Sequence, residues 1–131
     1  MKNYIGKGDI MPLVETSLTI SDIKLEKLWE NICCFDKYPK SMENVIDVQY
    51  LDENENLTSW KVLLNGSELT WVEKDIFLPY EKIKFEQVEG DLEVYKGEWR
   101  IKYNELKSEA TVILIIEFDL GIPSLEEILN P

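Results

Sequence analysis

Apolar and polar residues alternate with a period of two through most of the chain beyond residue 45, a pattern that predicts β-strands. An earlier stretch at 14–20, rich in Thr and β-branched residues, has the same character. Asn65-Gly66 between two extended runs is a strong hairpin signal. The sequence therefore predicts seven antiparallel strands, at residues 14–20, 45–51, 57–64, 67–77, 82–88, 92–103 and 107–119.

Apolar residues at helical spacing occupy the segment between the first two predicted strands. Ser21 or Asp22 is predicted to cap a helix that runs to about residue 31, and residues 40–44 are predicted to form a second helical turn. A capping-box spacing from Ser124 predicts the start of a further helix. This order of elements indicates one α+β domain over residues 1–131, with a long and strongly bent sheet.

Alternation also predicts which side chains share the concave face of the sheet. Its aromatic residues are Trp60, Trp71, Phe85, Tyr95 and Trp99, and its polar residues are Glu73, Asp75, Gln87 and Glu93. Each tryptophan brings roughly 150–250 Å² of buriable surface, so this face needs a helix, a partner or a ligand as its cover. An apolar pocket with few polar contact points typically binds an apolar or aromatic small molecule.

Two plainer interpretations stay open at this point. The aromatic residues would form an ordinary core under the helices, and Glu73 and Asp75 would lie near a strand end, in water. A carboxylate aimed into a dry core costs several kcal/mol unless it is paired or hydrated. For the aromatic and acidic residues taken together, we therefore expect a cavity.

The composition excludes several classes of function. The formal charge of −12 argues against nucleic acid and against an anionic membrane surface, and the single arginine, Arg100, excludes a multi-arginine clamp. Histidine is absent, which removes Ser-His and Cys-His pairs and imidazole metal ligands. We predict neither a metal nor a cofactor, and acid–base chemistry must use carboxylates, tyrosines, lysines or water.

Cysteine usage and hydropathy bear on the cellular setting. Cys33 and Cys34 are the only cysteines, and their adjacency gives no disulfide framework, so a reducing cytoplasmic setting is expected. The first residues lack the apolar region of a signal peptide. The longest aliphatic run, 112–116, is too short to cross a bilayer, so no stable membrane insertion is expected.

Six short segments carry a family resemblance: FDKYP at 35–39, WKV at 60–62, Gly66, WVE at 71–73, FEQVEGDL at 85–92 and GEW at 97–99. Together they resemble the polyketide cyclase/dehydrase and coenzyme Q-binding group of the START-like (Bet v 1-like) superfamily. The resemblance extends over nearly the whole chain, from Val14 to Leu129. Its motifs are specific for the superfamily rather than for any one member.

The resemblance implies a helix-grip fold, in which a seven-stranded antiparallel sheet wraps a long C-terminal helix and two short helices close one end. Members include aromatase/cyclases, which fold and dehydrate poly-β-ketone chains, and carriers of lipids, quinones or hormones. In the cyclases, tryptophans and polar residues at alternating sheet positions line the cavity. Trp71, Glu73 and Trp99 match such positions.

Two features depart from the family pattern. Only residues 124–131 stand where the long C-terminal helix is expected, so we expect a truncated helix or a partner in its place. Asp75 stands two residues beyond the Trp-x-Glu element, where an arginine would polarise a substrate carbonyl. An open face would favour self-association. The expected partners are therefore a small apolar ligand together with a homodimer or a substrate bound to an acyl carrier protein.

The preferred hypothesis is a cyclase that closes a ring by aldol attack and removes water. Glu73, desolvated by Trp71 and Trp99, is the predicted base, and Tyr95 is the predicted donor to a developing enolate oxygen. The predicted substrate contacts are Trp60, Trp71, Phe85, Gln87, Glu93 and Trp99.

The alternative hypothesis is a non-catalytic carrier of a lipid, quinone or isoprenoid. In that protein Glu73 and Gln87 would anchor the head group of the ligand. A third hypothesis is a module that binds a protein partner with its open face. No residue of the sequence specifically indicates this function.

Overall fold

The computed structural model describes residues 2–4 and 12–119. All the strands in this part of the chain join one antiparallel sheet in the order β1-β2-β8-β7-β6-β5-β4-β3, so the second strand lies beside the last. The strands are β1 (Lys2–Tyr4), β2 (Pro12–Ile20), β3 (Val45–Asp52), β4 (Leu57–Leu64), β5 (Ser67–Leu78), β6 (Lys82–Gly90), β7 (Val94–Asn104) and β8 (Glu109–Asp119).

The seven strands predicted from alternation are confirmed as β2–β8, with small shifts at their ends. The pairing of β3 through β8 with their chain neighbours is the predicted meander. β1 is an additional strand beside β2, and three residues are too few for alternation to reveal. The helix predicted from Ser124 lies outside the described residues.

The first helix, α1 (Leu25–Cys33), starts later than predicted, so the cap at Ser21 or Asp22 was wrong. Asp22 has a positive φ of 54°, and the Ile23 N–H donates to the Ser108 carbonyl at 3.0 Å. The chain is therefore held against the β7–β8 hairpin before the helix begins. Lys24 takes the N-cap position and makes no side-chain cap.

The second helix, α2 (Tyr38–Ser41), begins before the predicted turn at 40–44. A short 3₁₀ turn, Phe35–Lys37, leads into it. Pro39 lies in the first turn of α2, where its missing N–H leaves no helical hydrogen bond unmade.

Two glycines permit close approaches that shape the concave face. A side chain at Gly97 would meet the Ile115 carbonyl oxygen and, at 2.9 Å, the ring of Phe85. Gly90, with φ of +152°, packs on Trp71 where the β5–β6 register shifts between Val72 and Glu73. The register of β3 against β4 shifts at two places as well, between Val45 and Asp47 and between Tyr50 and Asp52.

The main core lies between α1 and the concave face of the sheet. Leu28 and Ile32 of α1 belong to the same buried cluster as Ile83 and Ala110, both of which are fully buried. Among the described residues, no helix is long and apolar enough to span a membrane.

Candidate functional site

A cavity of about 300 Å³ lies on the concave face of the sheet, beyond the part that the helices fill. All five aromatic residues predicted for this face line the cavity: Trp60, Trp71, Phe85, Tyr95 and Trp99. Trp60 and Trp71 also belong to the buried core cluster that includes Leu28 and Ile32, so these two rings are both core residues and cavity lining. Part of the rim is apolar and comes from Met42 and from Leu63 and Leu64 at the end of β4.

Contacts between the rings hold the aromatic wall in place. Trp60 and Trp71 are direct cross-strand partners on β4 and β5, and their rings stack with centroids 6.1 Å apart and planes 2° from parallel. Tyr95 packs against Trp71 at 4.5 Å and against Phe85 at 5.4 Å. Such pairs contribute about 0.5–1.5 kcal/mol each beyond their area burial, so contacts between the rings stabilise the wall.

Two further aromatic residues reach the cavity from the segment between α1 and β3. Phe35 and Tyr38 line it, and each packs on Trp60, with centroids 5.6 and 5.7 Å away. The Tyr38 hydroxyl donates to the Ile32 carbonyl at 2.5 Å, so it anchors the wall rather than a ligand. The alternation argument missed both residues because it treated only strands, although their three-residue spacing was a visible signal.

A buried polar network lies behind the rings. The Trp71 indole N–H donates to Glu73 Oε1 at 2.9 Å, and the Thr58 hydroxyl donates to Asp75 Oδ2 at 2.7 Å. The Trp60 indole N–H donates in turn to Thr58 Oγ1 at 2.8 Å. Glu73 is only 2% exposed and Asp75 only 1%, so the interpretation of these carboxyls as a solvated strand end is wrong.

The two carboxyls share one dry environment, and this changes their acidity. Burial raises the pKa of Glu73 well above that of an exposed glutamate, and the hydrogen bond with Asp75 and its charge raise it further. Burial also raises the pKa of Asp75, while hydrogen bonds with Glu73 and Thr58 lower it. Both carboxyls therefore hold a proton more tightly than exposed carboxyls do, and Glu73 is the one that lines the cavity.

Tyr95 lies close enough to this pair for charge effects to matter. Burial, and then the negative charges of Glu73 and Asp75, raise the pKa of Tyr95 well above its usual range. Its hydroxyl therefore stays protonated and can donate a hydrogen bond. None of the hydrogen bonds between described residues involves this hydroxyl.

Two predicted contacts lie away from the cavity. Gln87 donates through Nε2 to the Leu92 carbonyl at 2.6 Å and accepts the Leu92 N–H at 3.3 Å, so its amide closes the β6–β7 turn. Glu93 is exposed because β7 begins at Val94, and strand alternation does not extend back to it. Leu92, buried in the same turn, lines the cavity instead.

Two observations on the described part of the chain concern metal binding and the reactivity of the cysteines. No cluster of three or more His, Cys, Asp or Glu side chains in it could hold a metal ion. Burial, followed by the neighbouring Cys34, raises the pKa of Cys33 to about 11, so the Cys33 thiol is a poor nucleophile at neutral pH.

We expect the folded state to lose stability as pH rises through the titration of Glu73. The folded chain binds the Glu73 proton more tightly than the unfolded chain, whose glutamates have a pKa near 4.3. This contribution is therefore complete below about pH 4.3 and disappears as pH rises through the raised pKa of the folded state. Urea unfolding across this range, compared with Glu73→Gln, isolates the effect; a constant difference between the two proteins would contradict it.

The curved antiparallel sheet, the short helices and the cavity under the sheet define a START-like domain of the helix-grip type, as predicted. Residues 22–131 match the family described as polyketide cyclase/dehydrase and lipid transport, and the chain belongs to this family. No curated protein matches the chain.

Solved structures share this fold at low sequence identity. The Zhui aromatase/cyclase from Streptomyces sp. R1128 has a TM-score of 0.72 and 21% identity, over 82% of this chain and 67% of that one. TTHA0849 from Thermus thermophilus has a TM-score of 0.79 and 18% identity, over 90% and 81%. A START superfamily protein from Mycobacterium smegmatis has a TM-score of 0.75 and 10% identity, over 89% and 83%. Identities this low show the fold alone.

Proposed function

We propose that the cavity binds a poly-β-ketone or a similar aromatic or apolar substrate and promotes its aldol cyclisation and dehydration. One observation carries the proposal: a buried carboxyl, Glu73, lines an aromatic cavity and has a second carboxyl beside it. Family membership, together with the likeness to an aromatase/cyclase, supports the same reaction class.

The reaction needs one base and one acid near a folded chain. In its ionised form Glu73 would remove a proton from a carbon between two carbonyls, and Tyr95 would donate a hydrogen bond to the enolate oxygen. The enolate carbon then attacks a second carbonyl, the new carbon–carbon bond closes the ring, and the alkoxide takes back the proton held by Glu73. Removal of a second α-proton by Glu73, with departure of the hydroxyl as water, then forms a carbon–carbon double bond. Because the pKa of Glu73 is raised, its ionised form is a stronger base than an exposed glutamate, and its acid form persists for the return step.

The aromatic wall would fold the substrate. Flat ring surfaces on which successive unsaturated carbons can pack are offered by Trp60, Trp71, Trp99 and Phe85. Packing on them would hold the reacting carbon and carbonyl close together and correctly oriented. The cavity of about 300 Å³ lies at the lower end of the roughly 300–1,000 Å³ typical of small-molecule pockets. The described walls thus suit a short chain, or the reacting end of a longer one presented by an acyl carrier protein.

The carrier hypothesis remains the second candidate, because one observation favours it. The described lining is mainly apolar, and Glu73 is its only carboxyl. A lipid, quinone or isoprenoid would fill the cavity and place its head group at Glu73 and Tyr95. Gln87 is not available for this role, since its amide is engaged with Leu92.

A synthetic tetraketide thioester tests the proposal directly. We expect the protein to change the ratio of cyclised, dehydrated products from that of the spontaneous reaction, as measured by liquid chromatography and mass spectrometry. Glu86→Gln is the matched control for Glu73→Gln, since Glu86 is an exposed glutamate on β6 and lies outside the cavity. Quenching of tryptophan fluorescence without any change in products would support the carrier and contradict the cyclase.

A further inference from the structure

Asp75 has no part in the reaction proposed above, yet it is the less exposed of the two buried carboxyls. Thr58 holds its Oδ2 atom at 2.7 Å, and the Asp75 backbone N–H donates to the Asn56 carbonyl at 2.9 Å. Its Oδ1 atom is buried with no hydrogen-bond partner among the described residues. A proton on Glu73 would supply the missing donor, since the two neighbouring side chains interact. A buried acceptor without a donor is destabilising, so a proton held between the two carboxyls would stabilise this site.

Among the described residues, no positively charged side chain faces the pair of Glu73 and Asp75 to act as the missing donor. The titratable groups that face it are Tyr38 from α2 and Tyr95 from β7, and both interact with it as neutral phenols. From β6, Gln87 and Phe85 stand opposite Glu73 and Asp75 in the register. Lys74, between the two carboxyls in sequence, is exposed on the other face of β5. No cation of the described chain therefore neutralises the pair.

We propose that Asp75 is a positioning residue that shares one proton with Glu73, so that the cavity presents a carboxylic acid O–H to a carbonyl oxygen of the ligand. With the proton on Glu73, its hydroxyl can donate to Asp75 or turn toward the cavity when a carbonyl arrives. Thr58 and the Trp71 indole hold the outer oxygens of the pair in both arrangements. The pair then has a charge of −1 rather than −2.

This inference rests on the proposed function in one respect, the presence of a carbonyl ligand in the cavity. It adds a preference that aromatic walls alone would not give. A neutral aromatic ketone would bind better than the hydrocarbon of the same shape, and this preference would weaken once Glu73 ionises. Because the shared proton is a property of the pair itself, it can also be tested without any ligand.

Carbon-13 NMR of protein labelled at the Glu and Asp carboxyl carbons is the ligand-free test. We expect the Glu73 signal, assigned by its loss in Glu73→Gln, to titrate at a lower pH in Asp75→Asn, because the neighbouring charge and its hydrogen bond are removed. Asp75→Glu should move the titration back toward that of the wild type. A Glu73 titration unmoved by Asp75→Asn would overturn the proposal, since a residue that only packs would give that result.

Two naphthalene probes test the ligand preference. Below the Glu73 titration we expect 2-acetylnaphthalene to bind about tenfold more tightly than 2-ethylnaphthalene, by one hydrogen bond from a buried acid. Above the titration this preference should fall to the smaller part that the protonated Tyr95 hydroxyl contributes, and in Asp75→Asn it should fall at a lower pH. A ketone preference that ignores the Glu73 titration would overturn the proposal. If neither probe binds, the proposed function is contradicted. The NMR titration of Glu73 still tests whether Glu73 and Asp75 share a proton.

Thr58→Val keeps the test decisive if Asp75→Asn does not fold. Loss of the Thr58 hydroxyl removes a hydrogen bond that lowers the pKa of Asp75, so the Asp75 signal should titrate at a higher pH. An unchanged Asp75 titration in this variant would contradict the proposal that Asp75 shares a proton with Glu73.

Discussion

Glu73→Gln is expected to reduce turnover of a tetraketide thioester by about 10²–10⁴-fold, the usual contribution of a general acid–base group. Binding should persist, because glutamine has nearly the same shape and its oxygen can still accept the Trp71 indole N–H. Initial rates and fluorescence titrations on the same protein separate the two effects.

Glu86→Gln is the control for this comparison, because it makes the same chemical change at an exposed site. Turnover in Glu86→Gln should stay at the wild-type level. If Glu73→Gln retained wild-type turnover, Glu73 would have no role in proton transfer, and the carrier hypothesis would gain support.

Trp71→Ala is expected to lower the free energy of unfolding by about 3–5 kcal/mol, the usual cost of removing a large buried ring. The ring is 5% exposed and contacts both Trp60 and Tyr95, and its indole is the donor to Glu73. Since domains of this kind have about 5–15 kcal/mol of stability in total, this loss is large. Urea unfolding followed by circular dichroism measures it.

Two further variants divide this effect into its causes. Trp71→Phe keeps an aromatic ring but removes the donor to Glu73, and we expect a loss of about 1–3 kcal/mol. Trp29→Ala removes a half-buried ring that packs on Tyr80, outside the cavity, and should cost less than Trp71→Ala. A Trp29→Ala loss equal to that of Trp71→Ala would show that the cavity wall has no special role in stability.

Period-two alternation was enough to predict the strands and the aromatic wall, because each strand buries one face and exposes the other. Trp60 and Trp71 could thus be assigned to the cavity before any contact was known. Helix starts were harder to predict. The start of α1 depends on the contact between Ile23 and Ser108, two residues that are far apart in the sequence. No local propensity contains that information.

The same limit explains the outcome for the polar residues. Alternation put Glu73, Asp75, Gln87 and Glu93 on one face, but it could not tell which of them have partners. Gln87 is held by a turn and Glu93 lies before its strand begins. The role of Thr58 as the donor to Asp75 could not be predicted from the sequence, because it depends on a hydrogen bond between β4 and β5. Burial and pairing, which set the chemistry of carboxyls, are properties of the assembled sheet.

The two register shifts in β3 have a consequence for how the protein behaves at high concentration. β3 is the last strand in the sheet order, and β4 is its one partner among the described strands. It also exposes apolar side chains, Ile46 and Leu51. A flat ladder here would offer free N–H and C=O groups to another molecule, and that kind of pairing leads to fibrils. The register shifts interrupt the regular ladder of β3, so we expect this strand to be a poor template for a neighbouring chain.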